Sequence, residues 1–267
     1  MREVALRWGA ATDTGLRAEN QDSLLARPPV FAVADGMGGH AAGRQASIAV
    51  VERLERVAEP AGAPSAEGTA PQPALTVEAL RALLREADAD IRRAAATLGD
   101  ARGMGTTVAG VALVEERLSQ EAPGPEPCWA VFHIGDSRVY RLAGGRLQQL
   151  STDHSVVQEL VDAGMISADA AAVHPQRHLV TRALGVGTPA EADVLLLPVQ
   201  PGQSFLICSD GLTGELRDAE IAELLTGRDA ASAAEELVRT AARRGASDNV
   251  TAVVVEVLPE GSRTDTP

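Results

Sequence analysis

The stretch Trp129–Leu150, WAVFHIGDSRVYRLAGGRLQQL, decides the class of fold. Trp129 to Ile134 is short, apolar and rich in β-formers, which reads as a strand. Arg138 to Ala143 and Arg146 to Leu150 flank Gly144-Gly145, a pair that suits a two-residue hairpin turn. Strands joined this way need no crossover helix, so the pairing is expected to be antiparallel. Further out, Val30–Ala34, Thr107–Val114, Phe205–Ser209 and Asn249–Leu258 are similar apolar runs. Helical periods separate some of them. Gly43 to Val57 sets Ile48, Val51, Leu54 and Val57 along one face, and Ala230 to Arg244 forms a further helix. Thr76 can cap a helix from Val77 to Leu98, with Leu80, Leu83, Leu84, Ala87 and Ile91 inward. Between Ser155 and Leu184 a helix-like stretch leads into a loop holding His174, Pro175 and His178. Strands come in runs rather than in strict alternation with helices, so the expected class is α+β with antiparallel sheets. Periodicity alone does not count the sheets.

Composition narrows the choice of function. The chain has 267 residues, enough to bury roughly 75% of its unfolded surface in one core. With 45% hydrophobic and 23% charged residues it is globular, and with 2% aromatics its core rests on Ala, Val, Leu and Ile. Asp and Glu outnumber Lys and Arg, 37 to 24, for a net charge of −13. That field disfavours nucleic acid and anionic membrane as partners. Cys128 and Cys208 sit beside apolar runs and form no framework, so reduced core thiols and a cytosolic compartment are expected. No apolar stretch reaches membrane-spanning length, and MREVALRWGAATDTG lacks a signal-peptide core. Glu59 to Pro73, EPAGAPSAEGTAPQP, has little to bury and reads as a flexible insertion inside one domain of residues 1–258. Residues 259–267 read as a disordered tail.

The chemistry lies in where the aspartates fall. Asp35, Asp136 and Asp210 each follow an apolar run, and Asp248 directly precedes one. A carboxylate at the end of a buried strand is costly unless hydrogen-bonded or bound to a cation. A single one is usually a turn residue. Four could converge on a sheet edge, and oxygen-only ligands favour Mg2+ or Mn2+ over Zn2+. Gly36, Gly38 and Gly39 permit a sharp turn that presents a backbone group, but no nucleotide-binding loop follows. His174 and His178 have the spacing of a helical zinc pair, yet Pro175 intervenes and no third ligand is near, so they read as loop histidines. No nucleophile elbow surrounds Ser137 or Ser209, and neither cysteine carries a thiol-enzyme signature.

In order, the motifs are Arg17–Asp22 (RAENQD), Val33–His40 (VADGMGGH), Gly103–Thr107 (GMGTT) and Gly135–Arg138 (GDSR), followed by Thr152–His154 (TDH), Cys208–Thr213 (CSDGLT) and Ser247–Thr251 (SDNVT). This series resembles the bacterial metal-dependent Ser/Thr protein phosphatases of the PPM, or type-2C, family over about residues 5 to 257. The resemblance implies a β-sandwich of two antiparallel sheets flanked by α-helices, with two Mn2+ or Mg2+ ions at one end and room for a third. By position it implies that Asp35 bridges the metals, that the Gly36 carbonyl binds one, and that Asp210 and Asp248 are direct ligands. Asp22 matches an acid holding metal-bound water, and Asp153 an acid serving the third ion. Arg17 matches the residue that grips the substrate phosphate, Asp136 to Arg138 a mainly structural signature, and Val156 to Arg182 a flap beside the site.

The implied reaction is in-line attack on phosphoserine or phosphothreonine by a hydroxide bridging the metals, without a phosphoenzyme. Two positions depart from the family pattern. Met37 stands where eukaryotic members carry a His proposed as acid for the leaving group, and Gln21 where some carry Glu. The implied partners are phosphorylated Ser/Thr proteins, including a Ser/Thr kinase and its targets, met by a cytoplasmic monomer. Two other readings stand beside this one. A silent phosphoprotein-binding module on the same fold is opposed by the intact Asp35, Asp210 and Asp248, and a metal nuclease by the acidic charge.

Overall fold

Apolar side chains on both faces of the long strands force a layered structure. The computed structural model describes residues 4–38, 41–58, 66–70, 75–97, 103–119, 121–122 and 124–259. Its N-terminal half runs β1 (Val4–Asp13), β2 (Asp22–Arg27), β3 (Val30–Met37), α1 (Ala41–Glu55), β4 (Ala66–Ala70), α2 (Val77–Thr97), β5 (Gly105–Thr106), β6 (Val108–Glu116) and β7 (Glu126–Ile134). Then come β8 (Arg138–Ala143), β9 (Arg146–Gln149), α3 (Val156–Asp162), α4 (Ala168–Ala172), β10 (Asp193–Pro198), β11 (Ser204–Cys208), α5 (Asp210–Thr213), α6 (Asp218–Leu225), α7 (Ala230–Arg243) and β12 (Val250–Val257).

One sheet has the order β4-β1-β12-β11-β8-β9 and the other β10-β7-β6-β3-β2, with β5 paired to β3. The pairings are antiparallel, as the Gly-Gly hairpin requires of β8 and β9. Successive side chains alternate between two apolar environments. From β3, Phe31 and Val33 enter the space between the sheets while Val30, Ala32 and Ala34 face α1 and α2. From β12, Val253, Val255 and Val257 enter the same space while Ala252 and Val254 meet α7 on the outside. The result is helix, sheet, sheet, helix. Burial on both faces explains why these strands read as unbroken apolar runs. Trp8 tilts against Phe31, and Trp129 meets Phe205 edge to face, at centroid distances of 5.9 and 5.3 Å, tying the sheets together.

The helices sit where close approach allows. A Cβ at Gly9 would lie 2.3 Å from the Ala231 Cα, so only glycine lets α7 seat on β1. Asp229 caps α7 by accepting from the Ser232 amide at 3.0 Å, and the Thr76 hydroxyl accepts from the Ala79 amide at 3.2 Å to start α2. The α1 face keeps Leu54, with Val51 and Val57 partly buried, but departs from the expected one at Ile48. Ala46, Ser47, Val50 and Leu54 are buried while Ile48 is exposed, because small residues let this helix lie close to its sheet. Both cysteines are buried free thiols. Of the expected insertion at 59–73, residues 66–70 form the edge strand β4 on β1, and the remainder lies outside the described residues. Residues 260–267 of the expected tail also lie outside them. Among the described residues, no helix is long and apolar enough to cross a membrane.

Candidate metal centre and substrate cleft

At one end of the sandwich the apolar core gives way, one rung further along the strands, to a polar layer. The alternation that sends Ala10, Val33, Ala109, Val139, Ile207 and Val253 between the sheets sends Thr12, Asp35, Thr107, Ser137, Ser209 and Thr251 to the same side two residues nearer that end. This layer is internally bonded. Thr107 and Ser137 hydroxyls meet at 2.7 Å, as do those of Thr12 and Thr251, and the Ser209 hydroxyl donates to Asp22 Oδ2 at 2.8 Å. Asp22 and Asp35 stand directly opposite one another in the β2–β3 register, which places two carboxylates on one face of a cross-strand pair. The Asp35 backbone is fixed by Thr106 Oγ1 donating to its carbonyl at 2.8 Å and by the Thr107 amide at 2.9 Å. Gly36 follows under the start of α1, where a Cβ would lie 2.2 Å from the Gly43 carbonyl oxygen.

Above this layer opens a cleft of about 790 Å3, lined among others by Arg17, Asp35, Gly36, Asp136, Asp210 and Asp248. Asp210 starts α5, directly after β11, and Asp248 precedes β12, so adjacent strand ends deliver them. Arg17 stands at the mouth, more than half exposed, and donates to Asp248 Oδ2 at 2.7 Å. The segment after α4 contributes Arg177 and His178, with His178 Nδ1 3.7 Å from Asp210 Oδ2.

The floor carries more negative charge than its neighbours offset. Burial, opposed by hydrogen bonds from Thr251 and Ser209, raises the Asp22 carboxyl to about 6. Burial and the Asp22, Asp210, Asp136 and Asp248 charges hold Asp35 well above the usual carboxylate range. Burial and Asp210 raise Asp136 to about 7. The contact with Asp210 raises His178. Moreover, Asp22 Oδ1 and Asp210 Oδ1 are buried without a hydrogen-bond partner. Unpaired carboxylate oxygens among mutually repelling acids fit hard divalent cations, which take oxygen ligands.

Asp153 is placed differently from the other acids singled out in the sequence. It does not line the cleft, and both its oxygens face the Arg138 guanidinium at 2.7 to 3.0 Å. Gln149 Nε2 adds a bond to Asp153 Oδ1 at 3.0 Å. Asp136, only 7% exposed, lines the cleft instead. Its position after an apolar strand was the signal for this, the same one that marks Asp35 and Asp210. His178 stood out in the sequence only as half of a pair read as loop histidines, because only the fold brings it to Asp210. A separate group, His133, His154 and Asp193, brings ligand-type atoms close together outside the cleft lining. There the Gly135 amide donates to His154 Nδ1 at 3.0 Å, and the Arg182 guanidinium lies 2.8 Å from Nε2. That guanidinium already supplies the positive charge and donates to Asp193 Oδ1 at 2.9 Å, so the group ties Arg182 to the first residue of β10.

A two-sheet sandwich with helices outside and an acid-floored cleft at one end defines the PPM-type phosphatase fold. A family model described as Protein phosphatase 2C matches residues 17–257, and the chain belongs to that family. It is 38% identical over 258 residues to the serine/threonine protein phosphatase PstP of Mycobacterium tuberculosis, covering 96% of this chain and 46% of that protein. The chain thus spans about half the length of that relative. It is 35% identical to the serine/threonine phosphatase stp of Listeria monocytogenes over 246 residues, 91% of this chain and 89% of that one. A crystal structure of the PstP catalytic domain in complex with two manganese ions superposes with a TM-score of 0.80 at 35% identity, covering 96% of this chain and all of that one.

Proposed function

We propose that the chain is a metal-dependent protein serine/threonine phosphatase. The observation that carries this is the convergence of Asp22, Asp35, Asp136, Asp210 and Asp248 beneath Arg17, with two buried carboxylate oxygens left unpaired. Asp35, the Gly36 carbonyl, Asp210 and Asp248, with Asp22 behind them, would hold two Mn2+ or Mg2+ ions, as the manganese-bound relative supports. Asp136 beside Asp210 is the better candidate for a third ion, since Asp153 would first have to leave Arg138. When bound, such cations supply Lewis acidity and lower the pKa of water toward neutrality.

The chain's own residues do the rest. The Arg17 fork meets two phosphoryl oxygens at once and offsets their charge. The polar layer keeps the carboxylates in register, and the cleft walls align the phosphoester for in-line displacement. No phosphoenzyme is required. Met37 lines the cleft and has no proton to give to the leaving alkoxide. The substrates are phosphorylated Ser/Thr proteins, including a Ser/Thr kinase and its targets, met by a cytosolic monomer. Residues 1–258 form one phosphatase domain with Val156 to Arg182 as its flap. Two buried free thiols support the cytosolic compartment.

Phosphate release from a phosphothreonine peptide tests the reading. Release is expected with Mn2+, absent with EDTA, and lowered at least about 10²-fold by Asp210→Asn. A folded protein that releases nothing under any condition would favour the silent phosphoprotein-binding module.

A further inference from the structure

We infer that Asn249 is the positioning residue for Arg17, setting the loop from which the guanidinium reaches the phosphate; this rests on the phosphatase reading. Arg17 sits on residues 14–21 between β1 and β2, a segment whose middle, residues 16–19, is exposed. Asn249 is only 4% exposed and bonds this segment at three main-chain points. Its Nδ2 donates to the Thr14 carbonyl at 2.9 Å and to the Glu19 carbonyl at 3.0 Å, while its Oδ1 accepts from the Gln21 amide at 2.8 Å. Two acceptors on one side and a donor on the other fix the amide orientation, since the flipped group would face N–H to N–H.

The three bonds bracket Arg17 in sequence, so they define the arc of chain that presents it. The neighbouring Asp248 pairs with the guanidinium itself. Two consecutive residues immediately before β12 thus hold the head and the base of the same arginine, at the point where the chain enters the sheet. Asn249 touches neither phosphate nor cation in this scheme. Its effect on turnover passes through Arg17. No apolar residue of similar size can replace it, because three main-chain groups would lose their partners.

A double-mutant cycle separates positioning from general support of the fold. Wild type, Arg17→Ala, Asn249→Ala and the double variant are compared on a phosphothreonine peptide at saturating Mn2+. Asn249→Ala is expected to lower kcat/KM by about 10- to 100-fold in the wild-type background but by less than about 3-fold when Arg17 is already Ala. Equal losses in both backgrounds would overturn the inference. So would a matching loss of Mn2+ affinity by calorimetry, which would place the effect on Asp248. Amide exchange supplies an arm that needs no activity. In Asn249→Ala the Gln21 amide should exchange faster while the β12 amides keep their protection, and unchanged exchange at Gln21 would refute the inference. If Asn249→Ala does not fold, Asn249→Ser is read the same way, and rapid exchange of Gln21 in the wild type overturns the inference outright. An inert wild type would sink the phosphatase reading, while the exchange arm and the binding of inorganic phosphate to the Mn2+-loaded proteins would still decide the role of Asn249.

Discussion

Asp35 illustrates what a single residue costs and supplies. Its carboxyl is held well above the usual range by burial and four neighbouring acids. The folded state therefore binds this proton more tightly than the unfolded chain, and the resulting stability is present at low pH and lost as pH rises through the folded value. In the metal-free protein above the unfolded-state value this carboxyl therefore costs stability, a cost that cations relieve on binding. Asp35→Asn should accordingly raise the stability of the metal-free protein at pH 8 by about 1–3 kcal/mol, in chemical denaturation, while removing the stabilisation by Mn2+. A destabilised metal-free variant would show that the charge is already balanced by protein groups. Asp35, Asp210 and Asp248 were legible as strand-end acids in the sequence. Asp136 carried the same strand-end signal, whereas the place of Asp153 was not legible, because it depends on Arg138 claiming its carboxylate.

Among the elements, β3, β6, β7, β11 and β12 were legible because both faces are buried, and β8–β9 through its glycine turn. β1, β2 and β10 gave weaker signals. β1 mixes Arg7, Gly9 and Thr12 with apolar residues, and β10 is only partly buried along an edge. The same Gly9 that weakens β1 as a sequence pattern is required by its packing, since α7 crosses over it. Gly9→Ala should therefore push α7 off the sheet and destabilise the protein by about 1–3 kcal/mol, read as a lower denaturation midpoint. An unchanged midpoint would mean that α7 shifts freely. The contrast with α1, where Ile48 lies outward and Ala46 inward, has the same origin. A helical period gives the existence of a face, whereas close backbone approach selects which face is used.

At the scale of the whole molecule, binding of cations and folding share one free energy. Mn2+ at about 100 times its dissociation constant adds about 2.7 kcal/mol, which for a chain of this size raises Tm by about 5–10 °C. Asp136, raised to about 7, and Asp22, raised to about 6, take up protons that compete with the cation as pH falls. The increment should hence shrink between pH 8 and pH 5 in calorimetry, and an increment independent of pH would contradict the placement of the ions over these acids. His154, held down to about 4 first by burial, has the opposite sign. It favours folding above about 6.5 and loses that contribution as pH falls toward 4. By itself the sequence determined the doubly buried strands, the β8–β9 hairpin, the three long helices, the antiparallel class and a set of acids at strand ends, because those follow from side-chain period and local turn chemistry. Only the tertiary structure decided that the acids converge, that Asp22 faces Asp35 and that Asn249 holds the Arg17 loop. Register and sheet stacking bring together residues 13 to more than 200 positions apart, and no local pattern encodes such distances.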